Sequence, residues 1–173
     1  ILAYEATFYQ NAGAAADLSP AVMERTLFHC TNSYFVPHVK ATAYSCRTHL
    51  PPNTAFRGFG GPQGMFVIEA AIAKAAEQLG VPASDIQQQN LLQTGDEFPY
   101  GQKAESEANE CWSKANQLYG IKKLQQDIDT FNSKNKLFKK GMAAMPICFG
   151  ISFTKTPMNQ ARSLVHVYTD GSV

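Results

Sequence analysis

The stretch Thr54-Ala55-Phe56-Arg57-Gly58-Phe59-Gly60-Gly61-Pro62-Gln63 runs directly into the apolar segment 63–79, and the fold is read outward from this junction. Within 63–79, Met65, Ile68, Ile72, Ala75 and Leu79 recur at helical spacing and Gly80 is a stop signal, so a helix is expected there. Nearly every other position from Met65 to Ala76 is apolar or alanine, which predicts a helix enclosed on most sides. The loop before it sets two aromatics and an arginine among glycines. Glycine lets a backbone approach a ligand closely and adopt positive φ, and a helix N-terminus offers free N–H groups to oxo or anionic groups. The same composition also suits a loop whose phenylalanines merely plug a core, and the residues alone leave both readings open.

Upstream, residues 1–10 alternate as a half-buried strand with Leu2, Tyr4, Ala6 and Phe8 on one face, and 11–16 is a loop. Ser19 followed by Pro20 reads as an N-cap and a first helical proline. Val22, Met23, Leu27 and Cys30 would form that helix's apolar face, with Arg25 and Phe28 off its edge. Residues 34–44 read as a second strand, bent or placed at an edge by Pro37. Downstream, Pro82 and Ser84 start a short helix through Leu92, where Ser84 and Gln87 match a capping box. A loop at 94–103 precedes a longer helical region, 109–136, weakened near Gly120, with Trp112, Ala115, Leu118, Ile121, Leu124, Ile128 and Phe131 facing inward. Residues 142–154 and 164–169 return to strand character. Mixed strands and helices in this order give an α+β class.

Composition narrows the function. A formal charge of +1 builds no basic stripe for nucleic acid, and no apolar run approaches a membrane span. Cys30, Cys46, Cys111 and Cys148 lie far apart, without the spacing of a zinc or iron–sulfur site, and read as reduced buried thiols of a cytoplasmic protein. His29, His38, His49 and His166 are scattered singly and read as structural. Walker loops, nucleophile elbows and zinc-protease motifs are absent from the sequence.

Several segments together resemble one family. Residues 54–63 are similar to the molybdenum-site loop of the xanthine dehydrogenases and oxidases. Residues 23–29 (Met-Glu-Arg-Thr-Leu-Phe-His), 149–154 (Phe-Gly-Ile-Ser-Phe-Thr) and 165–173 (Val-His-Val-Tyr-Thr-Asp-Gly-Ser-Val) resemble that family in the same order, as does Asn159-Gln160 between the last two. The resemblance covers essentially the whole chain. It implies a molybdenum ion held by a pterin dithiolene, whose hydroxyl oxygen attacks an electron-poor purine carbon. Electrons then leave through iron–sulfur clusters and FAD to NAD or oxygen. Cofactors carry the redox chemistry, and the protein positions substrate and stabilises charge.

Residue by residue, the resemblance implies that Phe59 lies against one purine face and Phe153 meets it edge-on. Arg25 would stabilise negative charge accumulating on the ring, as the catalytic residue, and Thr154 would bond the same polar edge. The Arg57 main-chain N–H would contact a molybdenum oxygen, with Gly58 and Gly60 beside it in the cofactor loop. Arg25 with Thr154 favours a purine, hypoxanthine or xanthine oxidised to uric acid, over the aldehyde of the related oxidoreductases. Lys155-Thr156 and Arg162 stand where the family has more apolar or small residues. A general-base glutamate and the main pterin loops would lie outside residues 1–173, expected to be a partial molybdopterin-binding domain cut at both ends. The chain alone is then expected to be inactive and without bound cofactor, working as an oligomer with iron–sulfur and FAD subunits or domains. The alternatives are an aldehyde-type segment, or a non-catalytic isolated domain.

Overall fold

A computed structural model describes residues 1–154 and 156–173; Lys155, singled out above as a departure from the family pattern, lies outside the described residues. Two long strands carry the fold. β1 (Ala3–Gly13) and β2 (His38–Arg47) pair in parallel, from Ala3 opposite His38 to Asn11 opposite Cys46. Parallel strands cannot be joined by a hairpin, so the chain crosses over through α1 (Ser19–Phe28). On β1, Tyr4, Ala6 and Phe8 alternate toward the interior as expected, while Leu2 stays outside, 81% exposed. β2 begins only after Pro37, because proline has no N–H for the ladder. The earlier Tyr34 instead forms an isolated antiparallel bridge with Leu91.

Helix α2 (Gly61–Leu79) begins and ends at glycines of positive φ, Gly60 and Gly80. It buries Met65, Ile68, Ile72 and Ala76 but leaves Phe66 73% and Leu79 69% exposed, so the expected enclosure on most sides is not what forms. Alanines on every side raise the apolar count without demanding burial; only one stripe packs. Short α3 (Ala83–Gln89) follows without a capping box, because Gln87 spends its amide on tertiary partners. The 109–136 region divides into α4 (Ala108–Tyr119) and α5 (Ile121–Lys134) at Gly120, whose left-handed φ ends one helix and opens the next. Of its expected inward residues Trp112 is buried, whereas Leu118 and Leu124 are exposed.

The core joins Tyr34, Val36, Ile68, Ile72, Leu91 and Trp112, with Tyr4 and Val39 of the sheet against it. No ladder forms in 142–154 or 164–169; among the described residues the sheet has only β1 and β2. These segments are extended or irregular chain, and between them lies a 3-10 turn, Thr156–Met158. The outcome is still the mixed α+β class, with five α-helices and two parallel strands among the described residues.

Candidate functional site

The site is built where α2 meets α1. Gly60 and Gly64 let the helices close: a Cβ on Gly60 would lie 2.1 Å from the Val22 carbonyl oxygen, and one on Gly64 2.5 Å from that of Thr26. The close approach these two glycines allow is therefore to α1. Thr26 seals the junction, its hydroxyl 3.0 Å from the Gly60 oxygen and accepting from Gln10 at 2.7 Å. Ser19 is no N-cap; Leu18 takes that place, and the Ser19 hydroxyl donates to the Asn53 carbonyl at 3.0 Å.

The loop entering α2 holds three consecutive positive-φ residues: Gly58 (87°), Phe59 (51°) and Gly60 (100°). Glycine adopts this freely; phenylalanine does so at a cost of about 1–3 kcal/mol. The left-handed turn brings the Phe59 ring onto Phe153, centroids 5.4 Å apart and planes at 85°. Phe153 is itself presented by a left-handed residue, Ser152 (φ 71°). Asn159 clamps that turn, accepting from the Phe153 N–H at 2.8 Å and donating to its carbonyl at 2.9 Å.

What holds 144–154 beside α1 is a series of side chains in place of a neighbouring strand. Gln87 donates to the Ala144 carbonyl (2.9 Å), and Asn32 donates to that of Pro146 (2.7 Å) while accepting from the Cys148 N–H (3.2 Å). His29 accepts from the Gly150 N–H (2.8 Å), and Arg25 donates to the carbonyls of Gly150 (2.6 Å) and Ser152. The Thr154 hydroxyl donates to Glu24 at 2.9 Å. Every second residue of the segment is held, the period of a strand. Glu69 anchors the far end, accepting from Asn32 (2.9 Å), Tyr34 (2.6 Å) and Gln87 (2.8 Å). Burial first and then this carboxylate push the Tyr34 hydroxyl far above its usual range.

Arg25 is thus not at a solvated helix edge. It is 6% exposed, with its guanidinium carbon 5.3 Å from the Phe149 ring centre. Phe149 fits because Gly61 has no Cβ, which would stand 2.4 Å from the ring. The partners of His29 assign its tautomer: Nε2 takes the Gly150 proton, and Nδ1–H donates to the Arg25 carbonyl at 2.9 Å. Burial pulls its pKa below the ordinary imidazole value against the opposing hydrogen bond, and the Arg25 charge adds to the lowering.

Arg25 and Thr154 line one groove of about 1050 Å³, together with His29, Tyr100, Trp112 and Gly150. Phe59 and Phe153 meet outside its lining, and Arg57 lies on a separate hollow of about 500 Å³ with Phe56, Pro62, Gln63 and Phe66. No role at the site was expected for Glu24, His29, Asn32, Gln87 or Asn159, although Gln87 was expected in a capping box, His29 as a structural residue and Asn159 within the family resemblance. The spacing of Arg25, His29 and Asn32, a polar stripe along one side of α1 and its C-terminal turn, was the available signal. Cys30 is buried, its thiol pushed up to about 11 by desolvation, but Cys111 is exposed, so the thiols are not uniformly buried. Among the described residues no helix is long and apolar enough to cross a membrane.

A family model described as the molybdopterin cofactor-binding domain matches residues 1–91. The xanthine dehydrogenase/oxidase of Felis catus is 44% identical over 176 residues, taking in all of this chain and 13% of that protein. A xanthine dehydrogenase of Arabidopsis thaliana is 42% identical over 174 residues, and a nicotinate hydroxylase of Emericella nidulans 39% identical over 180, again with the whole chain and 13% of each relative. The chain therefore spans 13% of the length of these curated relatives. The aldehyde oxidoreductase of Desulfovibrio gigas superposes with a TM-score of 0.68 at 23% identity, over 79% of this chain and 15% of that one. The CO dehydrogenase of Oligotropha carboxidovorans gives 0.65 at 21%, over 76% and 17%. At these identities the likeness to the solved structures is one of fold.

Proposed function

Because the chain belongs to the molybdopterin cofactor-binding domain family, we propose that it supplies the substrate side of a cytoplasmic molybdenum hydroxylase oxidising hypoxanthine and xanthine to uric acid. The observation that carries this reading is the perpendicular Phe59–Phe153 pair, each ring presented by left-handed, non-glycine backbone. Strain of this kind persists where surrounding structure enforces it, and it clusters at sites that bind ligands. Rings at 85° suit a flat heterocycle that takes one by its face and the other by its edge. At 5.4 Å they touch, so the purine enters by replacing their mutual contact.

Arg25 serves the polar edge of the substrate. Two carbonyls occupy two of its five N–H groups, and the remaining donors belong to a cation that lines the groove with Thr154. Held by Gly150 and Ser152, the guanidinium needs little reorganisation to stabilise charge developing on the ring. One observation supports a contact from the loop to the pterin-held molybdenum: the Arg57 N–H has no partner among the described residues, and Arg57 lines the outward hollow. Arg57, with Gly58 and Gly60 shaping the turn, would hold an oxygen of that group. When bound, the group supplies the oxygen transfer and two-electron chemistry. Iron–sulfur and FAD subunits or domains of the same oligomeric enzyme would pass the electrons on.

The test is Arg25→Met in the intact enzyme, assayed on xanthine and on a simple aromatic aldehyde. Loss of a preorganised donor lowers xanthine turnover roughly 10²–10³-fold, with aldehyde oxidation retained. An equal loss on both would make Arg25 a support for 150–152 and nothing more.

A further inference from the structure

Thr154 is tied to a residue that the purine reading does not use. Its hydroxyl lies 2.9 Å from Glu24 Oε2, and Glu24 is the neighbour of Arg25 on α1. A hydroxyl has one proton and two lone pairs, whereas a carboxylate only accepts. Thr154 must therefore be the donor in this pair. Its proton is spent on Glu24, and only lone pairs remain for anything in the groove that Thr154 lines. Arg25, lining the same groove, can only donate.

We infer that Glu24 is a specificity-determining positioning residue: by taking the Thr154 proton it makes that hydroxyl an obligate acceptor beside the Arg25 donors. The site then reads a ring N–H next to a carbonyl oxygen, the N–H given to Thr154 and the oxygen to Arg25. A heterocycle with a bare ring nitrogen at that position puts lone pair against lone pair and is rejected. Without Glu24 the hydroxyl could turn to suit either. The inference rests on the proposed purine site and adds to it the polarity with which the substrate edge is read.

The experiment uses the intact enzyme with hypoxanthine and 6-methoxypurine as competing substrates, which yields the ratio of their kcat/KM directly. The first carries an N–H beside a carbonyl, the second a bare nitrogen beside an ether. The unsubstituted enzyme favours hypoxanthine. In Glu24→Met the preference shrinks by roughly tenfold or more, because 6-methoxypurine gains a donor it lacked. A purely structural role for Glu24 would instead slow both purines together and leave the ratio alone. Thr154→Val keeps the side-chain volume and removes the hydroxyl, so the same shrinkage is expected there should Glu24→Met fail to fold. An unchanged ratio in these variants, or an initial preference for 6-methoxypurine, overturns the inference while leaving the purine reading in place. Turnover of neither purine overturns that reading, and this inference with it.

Discussion

Replacing His29 with leucine tests whether side chains of α1 hold the 144–154 segment. Leucine keeps apolar bulk at a buried position but removes the Nδ1–H bond to the Arg25 carbonyl, at 2.9 Å, and the acceptor for the Gly150 N–H, at 2.8 Å. Only the Gly150 bond joins His29 to the segment, and one such bond contributes about 0.5–1.5 kcal/mol net, so local opening becomes easier by roughly two- to thirteen-fold. Amide hydrogen exchange on a peptide containing Gly150 measures this, with the β1–β2 ladder as internal reference. The unsubstituted protein should show a matching pH dependence. His29 is held neutral with a folded-state pKa below its ordinary 6.5, so the unfolded chain binds the proton more readily. Its contribution is complete above pH 6.5 and is lost as pH falls through the lowered folded-state value. Protonated Nε2 would face the Gly150 N–H donor to donor, and His29→Leu should abolish the dependence. Unchanged exchange at Gly150 in the leucine variant would refute the idea that His29 holds the segment.

Gly60→Ala forces an L-residue to φ 100° and puts a methyl 2.1 Å from the Val22 carbonyl, so strain and overpacking together should cost about 2–5 kcal/mol, read by thermal denaturation. Full stability in that variant would mean the α1–α2 junction is looser than described. Asn159→Ala removes both clamps on the Phe153 backbone, at 2.8 and 2.9 Å, and should raise the KM for a purine several-fold while melting is little changed. Glu69→Ala strands the donors of Asn32, Tyr34 and Gln87 and should destabilise by about 2–5 kcal/mol, measured by denaturant unfolding.

Much of this was legible in the sequence where local rules coincide with tertiary ones. The α2 helix was expected over 63–79 and begins two residues earlier, at Gly61; its end at Gly80 was marked, and the β1 alternation survives into the structure at Tyr4, Ala6 and Phe8. The break at Gly120 was visible as a weakness, though not as two separate helices. Residues 142–154 misled for a physical reason. Their alternation is real, but the backbone groups are met by Gln87, Asn32, His29 and Arg25, and periodicity cannot distinguish a strand partner from a row of side chains. Arg25 was read at a helix edge because arginine is seldom buried; its partners lie 125 and 127 residues away, beyond any local window. Phe59 and Phe153 are likewise ordinary in composition. Only the family resemblance pointed to the pair, and only the left-handed backbone explains how they meet.

The most direct test of the central claim is a structure of the intact enzyme with hypoxanthine bound, and the quantity to measure is the separation of the Phe59 and Phe153 rings. The purine should lie between them, its face on Phe59 and its edge toward Phe153, so that the centroids move well beyond the present 5.4 Å. Its polar edge should meet Arg25 and Thr154. A purine bound elsewhere, with the two rings still in contact, would contradict the account.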